Sequence, residues 1–197
     1  MRLALAITGA SGLPIAFELL DSLKGFEVDV VVTPGALEVA KLEPCTLEDE
    51  GCDLIKELAK RRVRIHTNMR SPLASSSRAP DAAVCAPCSM KTVASVAYGI
   101  GDTLASRLLL NMLRLRRKVV VVPRETPVGA IELEAMRRVA EAGAAVVLPV
   151  LAFYNRPKSL RDAVRFVVGK VLDALGVENE LYGRYLAGEL DDRHAPD

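Results

Sequence analysis

Five short, almost uninterrupted apolar runs, each followed by a longer stretch of helical period, constrain this chain more than any other feature of its sequence. They are LALAI at 3–7, VDVVV at 28–32, AAVCA at 82–86, VVVV at 119–122 and AAVVL at 144–148. A strand apolar on both faces is one covered on both faces. Alternation with helices over this spacing is the pattern of strand–helix–strand units around a parallel sheet. RVRIH at 62–66 alternates and is basic, which suits an edge strand or a short connection.

Helices are expected from Pro14 to about Lys24, with proline in the first turn, and from Thr46 to Lys60, where Thr-Leu-Glu-Asp resembles a capping box. Further helices are expected over Ser89–Tyr98, Thr103–Arg116, Ile131–Ala142 and Ser159–Leu175. At 197 residues, half of them hydrophobic and 26% charged, the chain suits one domain with a sizeable core. The expected fold is a single α/β domain, doubly wound and Rossmann-like, its parallel sheet carrying helices on both faces. Residues 1–177 make that domain, and the polar stretch 178–197 reads as a C-terminal tail or oligomer arm.

A formal charge of +1 gives no whole-molecule field toward nucleic acid or an anionic membrane, so any anion site is local. MRLALAIT lacks the pattern of a signal peptide and reads as the first strand. With no long apolar run either, the expectation is a cytoplasmic protein. Cys45, Cys52, Cys85 and Cys88 are too few and too scattered for a disulfide scaffold and are expected as reduced thiols.

In an open parallel sheet ligands bind beyond the carboxyl ends of the strands, and five segments there are chemically unusual. Thr8-Gly9-Ala10-Ser11-Gly12 joins the first strand to a proline-led helix. Glycines admit close backbone approach, the helix start offers free amides, and Ser11 adds a hydroxyl; a phosphate cradle and a plain tight turn both fit. Thr33-Pro34-Gly35 stands where a dinucleotide domain carries an acid for the ribose. Its absence favours a mononucleotide such as FMN, although Thr33 serves equally as an N-cap. Pro87-Cys88-Ser89-Met90-Lys91-Thr92 opens a helix, and Ser89 is either an anion ligand or an ordinary cap. Cys85 and Cys88 have redox spacing, against which Cys85 falls on a buried strand. No metal site is expected, since His66 and His194 are isolated. Arg124 and Glu125, in PRETP, set a phosphate fork beside a proton carrier, or form a structural pair. Tyr154, in FYNRP, and Lys170 one helix later are either ligands or packing and solvated charge.

Taken in order, GASG, PCSMKT, PRETP, FYNRP and KVLD resemble the UbiX-like flavin prenyltransferases, within the wider flavoprotein group that includes FMN-containing cysteine decarboxylases. The resemblance runs from about residue 2 to about 185. It implies transfer of a dimethylallyl group from dimethylallyl phosphate to N5 and C6 of reduced FMN, without a metal. The product is the prenylated cofactor of a UbiD-like decarboxylase, the implied partner. It implies that Gly9, Ala10, Ser11, Thr33, Ser89, Met90, Lys91, Thr92 and Arg124 hold FMN, and that Tyr154 and Lys170 reach the prenyl phosphate. Glu43 and Glu125 line that second site with Ser11 and Arg124, and Arg114 comes from a neighbouring subunit of a homo-oligomer, a dodecamer on the family's pattern. Arg78 replaces the aromatic of a common SGSF pattern, and Tyr185 stands where many members carry tryptophan. The rival reading within the fold is a cysteine decarboxylase using His66, with Asn68 nearby. A flavin-storage protein is a third, which would not need Tyr154 and Lys170.

Overall fold

The computed structural model of the chain describes residues 1–49 and 51–185. Its elements run β1 (Arg2–Ile7), α1 (Leu13–Ser22), β2 (Glu27–Val32), α2 (Pro34–Val39), α3 (Leu54–Lys60), β3 (Arg64–His66), β4 (Ala82–Cys88), α4 (Met90–Ala97), α5 (Leu104–Arg114), β5 (Lys118–Pro123), α6 (Ala130–Glu141), β6 (Ala145–Val146) and α7 (Leu160–Leu175). Short 3-10 turns at Pro72–Ala74 and Ser76–Arg78 lead into β4. Every strand pairing is parallel, and the order is β3-β2-β1-β4-β5-β6. The order reverses between β1 and β4, which is where a doubly wound sheet opens a crevice for ligands.

Alternation within β1 divides the core into two layers of different texture. Leu3, Leu5 and Ile7 point to one face and pack with Leu13, Phe17 and Leu20 of α1 and with Val168 and Leu172 of α7. Ala4 and Ala6 point to the other, with Ala83 and Cys85 of β4, under Leu108, Leu109 and Met112 of α5. Small residues on that face let α4 and α5 sit close to the strands. Full burial of each large aliphatic side chain contributes about 1.5–3 kcal/mol.

The structure departs from the sequence expectation in four places. Thr46 and Asp49 do bond as a capping pair, through Oγ1 to Oδ2 at 2.8 Å and the Thr46 amide at 3.0 Å. That turn does not propagate, and the helix starts only at Leu54, capped by Asp53, whose Oδ1 accepts from the Lys56 amide at 3.1 Å. The last strand is two residues long, not five: Val147 donates once more to Val121, and Pro149 has no N–H to continue a ladder. An extra short helix, α2, follows β2. Finally, Cys45 and Cys52 are joined by a disulfide with Cα atoms 4.8 Å apart, so they are not the reduced thiols expected, whereas Cys85 and Cys88 are free and buried. The loop between α2 and α3 folds back on itself and brings the pair within bonding reach.

Of the stretch 178–197, residues up to Tyr185 are described. Asn179 and Tyr182 bond Asp173 of α7, and Leu181 and Tyr182 pack on the core. Residues 186–197 lie outside the described ones.

At the β3 edge one buried carboxylate organises three neighbours. Asp29 of β2 accepts both arms of the Arg64 fork at 2.8 and 3.1 Å and His66 Nε2 at 2.9 Å, with Arg2 Nε 3.5 Å away. Burial opposes its charge, but the bonds from Arg64 and His66 prevail and hold its carboxyl below the ordinary carboxylate range. A depressed folded value means that the stabilisation is present above the unfolded carboxylate value and is lost as pH falls through the folded one. The thermal midpoint is therefore expected to fall in acid, starting below about pH 4 to 5. Asp29→Asn should cost about 2 kcal/mol at neutral pH and flatten that acid limb. Melting curves of both proteins between pH 3 and 7 check this, and parallel curves would refute it.

Candidate active site

The crevice is built where β1 and β4 end side by side. Thr8, the first residue past β1, donates its hydroxyl to the Pro87 carbonyl at 3.0 Å and accepts the Ser89 amide at 2.7 Å. This ties the Gly9–Gly12 turn to the start of α4. Gly9 and Gly35 meet backbone to backbone: a Cβ on Gly9 would lie 3.1 Å from the Gly35 Cα. Gly12 has φ +119°, a left-handed conformation natural to glycine, and delivers the chain into α1.

Ser11 and Glu43 come together directly. Glu43 Oε2 accepts the Ser11 hydroxyl at 2.6 Å, while Oε1 accepts the amides of Gly12 and Leu13 at 2.8 and 3.0 Å. A carboxylate thus occupies the positive end of α1, where an anion is favoured. Glu43 arrives there from the loop after α2, thirty-two positions away in sequence. The turn sequence alone does not reveal that pairing.

Two of the predicted hydroxyls are already engaged as caps. Thr33 Oγ1 accepts from the Ala36 amide at 3.3 Å, and Ser89 Oγ from the Thr92 amide at 3.3 Å with Thr92 Oγ1 at 3.0 Å. Neither cap precludes a ligand, because a hydroxyl oxygen has two lone pairs. The first amides of α4, those of Met90 and Lys91, precede any intrahelical partner. The Lys91 side chain is exposed and lies 3.5 Å from Asp102.

Arg124 follows β5 and is fixed by its own amide, which donates to the Cys88 carbonyl at 3.2 Å. Its side-chain Nε is buried and has no partner among the described residues. The adjacent Glu125 is exposed, and the two do not form an ion pair with each other, which removes the structural-pair reading. A buried charged donor without an acceptor is costly. An anionic ligand supplies the acceptor, and together with the close-packed glycines and the open α4 amides this fits the phosphate and polar chain of FMN.

Tyr154 and Lys170 are brought together on the α7 side, in an aromatic cluster the sequence reading missed. Tyr154 meets Phe166 and Tyr185 edge-on, with centroids 6.0 and 5.8 Å apart. Lys170 Nζ lies 4.6 Å from the Tyr182 centroid and 5.5 Å from that of Phe166. The neighbouring Tyr182 hydroxyl is the main reason its ammonium is held more firmly protonated than an ordinary lysine. Phe166 is signalled by its place one helical turn before Lys170. Tyr182 has no such signal, since it reaches the cluster only by folding back along α7.

Arg114 does not join the others in its own chain. It ends α5 just before Lys118 opens β5, at the amino ends of the strands, whereas Ser89 follows the carboxyl end of the neighbouring β4. His66 is held between Asp29 and the Ser71 hydroxyl, which is 2.8 Å from Nδ1.

Comparison with known proteins agrees with this geometry. The Flavoprotein family profile matches residues 1–172. The flavin prenyltransferase UbiX of Methanocaldococcus jannaschii is 40% identical over 188 residues, covering 94% of this chain and 98% of that one. The chain belongs to the UbiX-like flavin prenyltransferases. Two solved flavin prenyltransferase-like structures superpose closely. AnUbiX (PadA1), in complex with FMN and dimethylallyl pyrophosphate, gives a TM-score of 0.86 at 32% identity, over 95% of this chain and 98% of that one. The dodecameric FMN-dependent UbiX-like decarboxylase of Escherichia coli O157:H7 gives 0.85 at 33%, over 95% and 100%. The FMN-dependent cysteine decarboxylase TvaF reaches 0.64 at 15% identity, which shows a shared fold alone. Among the described residues no helix is long and apolar enough to cross a membrane.

Proposed function

We propose that this flavin prenyltransferase joins the dimethylallyl group of dimethylallyl phosphate to N5 and C6 of reduced FMN, releasing phosphate. The observation that carries the reading is the buried, unpartnered Arg124 Nε at the mouth of the crevice, with a second, caged cation, Lys170, on the α7 side. One anion-ready place suits the flavin phosphate and the other the prenyl phosphate. The reduced flavin supplies the electron-rich ring atoms that accept the prenyl group.

The chain's own residues divide the remaining work. Gly9, Ala10, Ser11, Thr33, Ser89 to Thr92 and Arg124 hold FMN through backbone amides, hydroxyls and one guanidinium. Tyr154 and Lys170 grip the prenyl phosphate and receive the charge that develops as it leaves. Glu43, through Ser11, and Glu125 hold or move protons at that phosphate and at the flavin edge. The aromatic rings beside Lys170 keep water from an allylic cation, which it would otherwise trap. Arg114, remote from its own crevice, completes the site of a neighbouring copy, so the protein works as a homo-oligomer. A dodecamer like the Escherichia coli relative is the expected size. A UbiD-like decarboxylase receives the product. Since phosphate esters do not cross membranes unaided, the reaction is placed in the cytoplasm, where such substrates are made.

The test is anaerobic incubation with reduced FMN and dimethylallyl phosphate, followed by mass analysis of the released flavin. A flavin carrying one dimethylallyl unit is expected. Unmodified flavin, with carbon dioxide released from a cysteine-ended peptide instead, would establish the decarboxylase reading.

A further inference from the structure

We propose that the Cys45–Cys52 disulfide is a positioning bond for Glu43: closed, it keeps the carboxylate on Ser11 and the α1 amides, and reduced, it lets that carboxylate go. The catalytic half of this proposal rests on the reading of Ser11 and Glu43 as parts of the prenyl-transfer site; the structural half does not.

Glu43 lies on a connection with no helix or strand of its own, between the end of α2 at Val39 and the Asp53 cap of α3. Backbone bonds from Leu42 and Glu43 to the Val39 carbonyl, at 2.9 and 3.2 Å, tie the near side of this connection to the end of α2. Beyond Glu43, few ties among the described residues fix the loop from outside. An exposed ion pair joins Glu48 to Arg161 of α7, and exposed pairs contribute little. Thr46 and Asp49 bond only each other and so shape the loop without anchoring it. Cys45 is different. It is fully buried in the layer formed with Leu13 and Leu54, and its sulfur is bonded to Cys52, the residue before the α3 cap.

Two residues of extended chain span about 7 Å at most, so fixing Cys45 restricts Glu43 to the neighbourhood of α1. The bond ties that point to the start of α3. Without it, the far side of the loop keeps only the buried Cys45 side chain and the exposed Glu48–Arg161 pair among the ties described, while the near side keeps its bonds to Val39.

The bond can be opened chemically. Cys52 is partly exposed, whereas Cys45 is not. A thiolate of a small dithiol such as dithiothreitol attacks the Cys52 sulfur, the sulfur–sulfur bond breaks, and Cys45 leaves as a thiolate that takes up a proton. The second thiol of the reagent then closes on the mixed disulfide and releases Cys52 as a thiol. Two electrons pass from the dithiol, which ends as its cyclic disulfide, to the protein.

Three measurements decide the proposal. Alkylation after unfolding should label two cysteines in the protein as isolated and four after dithiothreitol; four labelled without reductant would overturn it. Amide exchange followed by mass in peptides spanning 9–16 should show Gly12 and Leu13 exchanging about tenfold faster after reduction, while peptides from the second half of α1 keep their protection. No change at Gly12 and Leu13, or loosening of the whole helix, would overturn it. In prenyl transfer, reduction should lower kcat about tenfold at unchanged KM for FMN, and Cys45→Ala/Cys52→Ala should behave like the reduced protein with or without dithiol. In a Glu43→Gln background reduction should have almost no further effect. An equal loss in both backgrounds would make the bond a mere staple and refute the proposal. Should the chain prove inactive in prenyl transfer, the function reading falls, and the amide exchange still decides the positioning role.

Discussion

Gly9→Val is expected to lose FMN binding by at least a hundredfold and to lower the thermal midpoint as well. A Cβ at Gly9 would stand 3.1 Å from the Gly35 Cα and 3.2 Å from its carbonyl carbon, both backbone atoms that no rotamer change can move aside. The two turns that must part, after β1 and after β2, are also the walls of the crevice. Relief therefore displaces Ser11 on one side and Thr33 on the other. Overpacking of this kind costs about 1–3 kcal/mol in stability, and a displacement of the cradle adds the lost ligand contacts. Gly183 offers the control, because a Cβ there meets nothing within 4 Å; Gly183→Ala should bind flavin like the parent. Fluorescence titration of FMN beside melting curves gives both quantities. An affinity within twofold of the parent for Gly9→Val would show that this close approach does not shape the flavin site.

The parts of the molecule that could be read from the sequence are those whose cause is local. LALAI, VDVVV and VVVV are strands because β-branched and aliphatic residues covered on both faces leave no other arrangement, and the structure places β1, β2 and β5 over them. Thr8 to Gly12 announces a strand-to-helix turn for equally local reasons. The failures share the opposite property. Thr46-Leu-Glu-Asp makes its cap bonds and still starts no helix, since capping satisfies a helix end without providing the buried face that sustains one. Asp53 does the capping where Leu54 and Leu58 can be buried.

The site divides in the same way. Ser89 and Arg124 sit one residue past their strands, so sequence position alone sets them at the ligand edge. Glu43 reaches Ser11 only because the loop after α2 returns to α1, and Tyr182 reaches Lys170 only because the chain after α7 folds back along it. The disulfide is of this second kind too. Cys45 and Cys52 are seven positions apart with no paired partner spacing, and only the reversal of the loop makes them neighbours. Arg114 is named by the resemblance alone, and periodicity does not single it out, because it simply ends α5.

The sharpest expectation separates the two cations. Arg124→Ala should lose flavin, because Arg124 Nε is buried without a partner among the described residues and its backbone is tied to Cys88, just before the start of α4. Lys170→Ala should keep its flavin and need about ten- to a hundredfold more dimethylallyl phosphate, the equivalent of one charged hydrogen bond worth roughly 1.5–3 kcal/mol. The lysine is packed against Tyr182 and Phe166, not against the glycine turn, and the neighbouring Tyr182 pushes its ammonium above the ordinary lysine range. Lys170→Arg should recover much of the loss, since the charge stays, although a planar fork replaces a point donor. Glu125→Gln, exposed and unpaired with Arg124, should bind both ligands and slow the turnover alone if it carries a proton. Flavin content and prenylation kinetics for each variant decide the division. Flavin lost from Lys170→Ala, or an unaltered dependence on dimethylallyl phosphate, would mean that the aromatic cluster on α7 serves the flavin and not the prenyl phosphate.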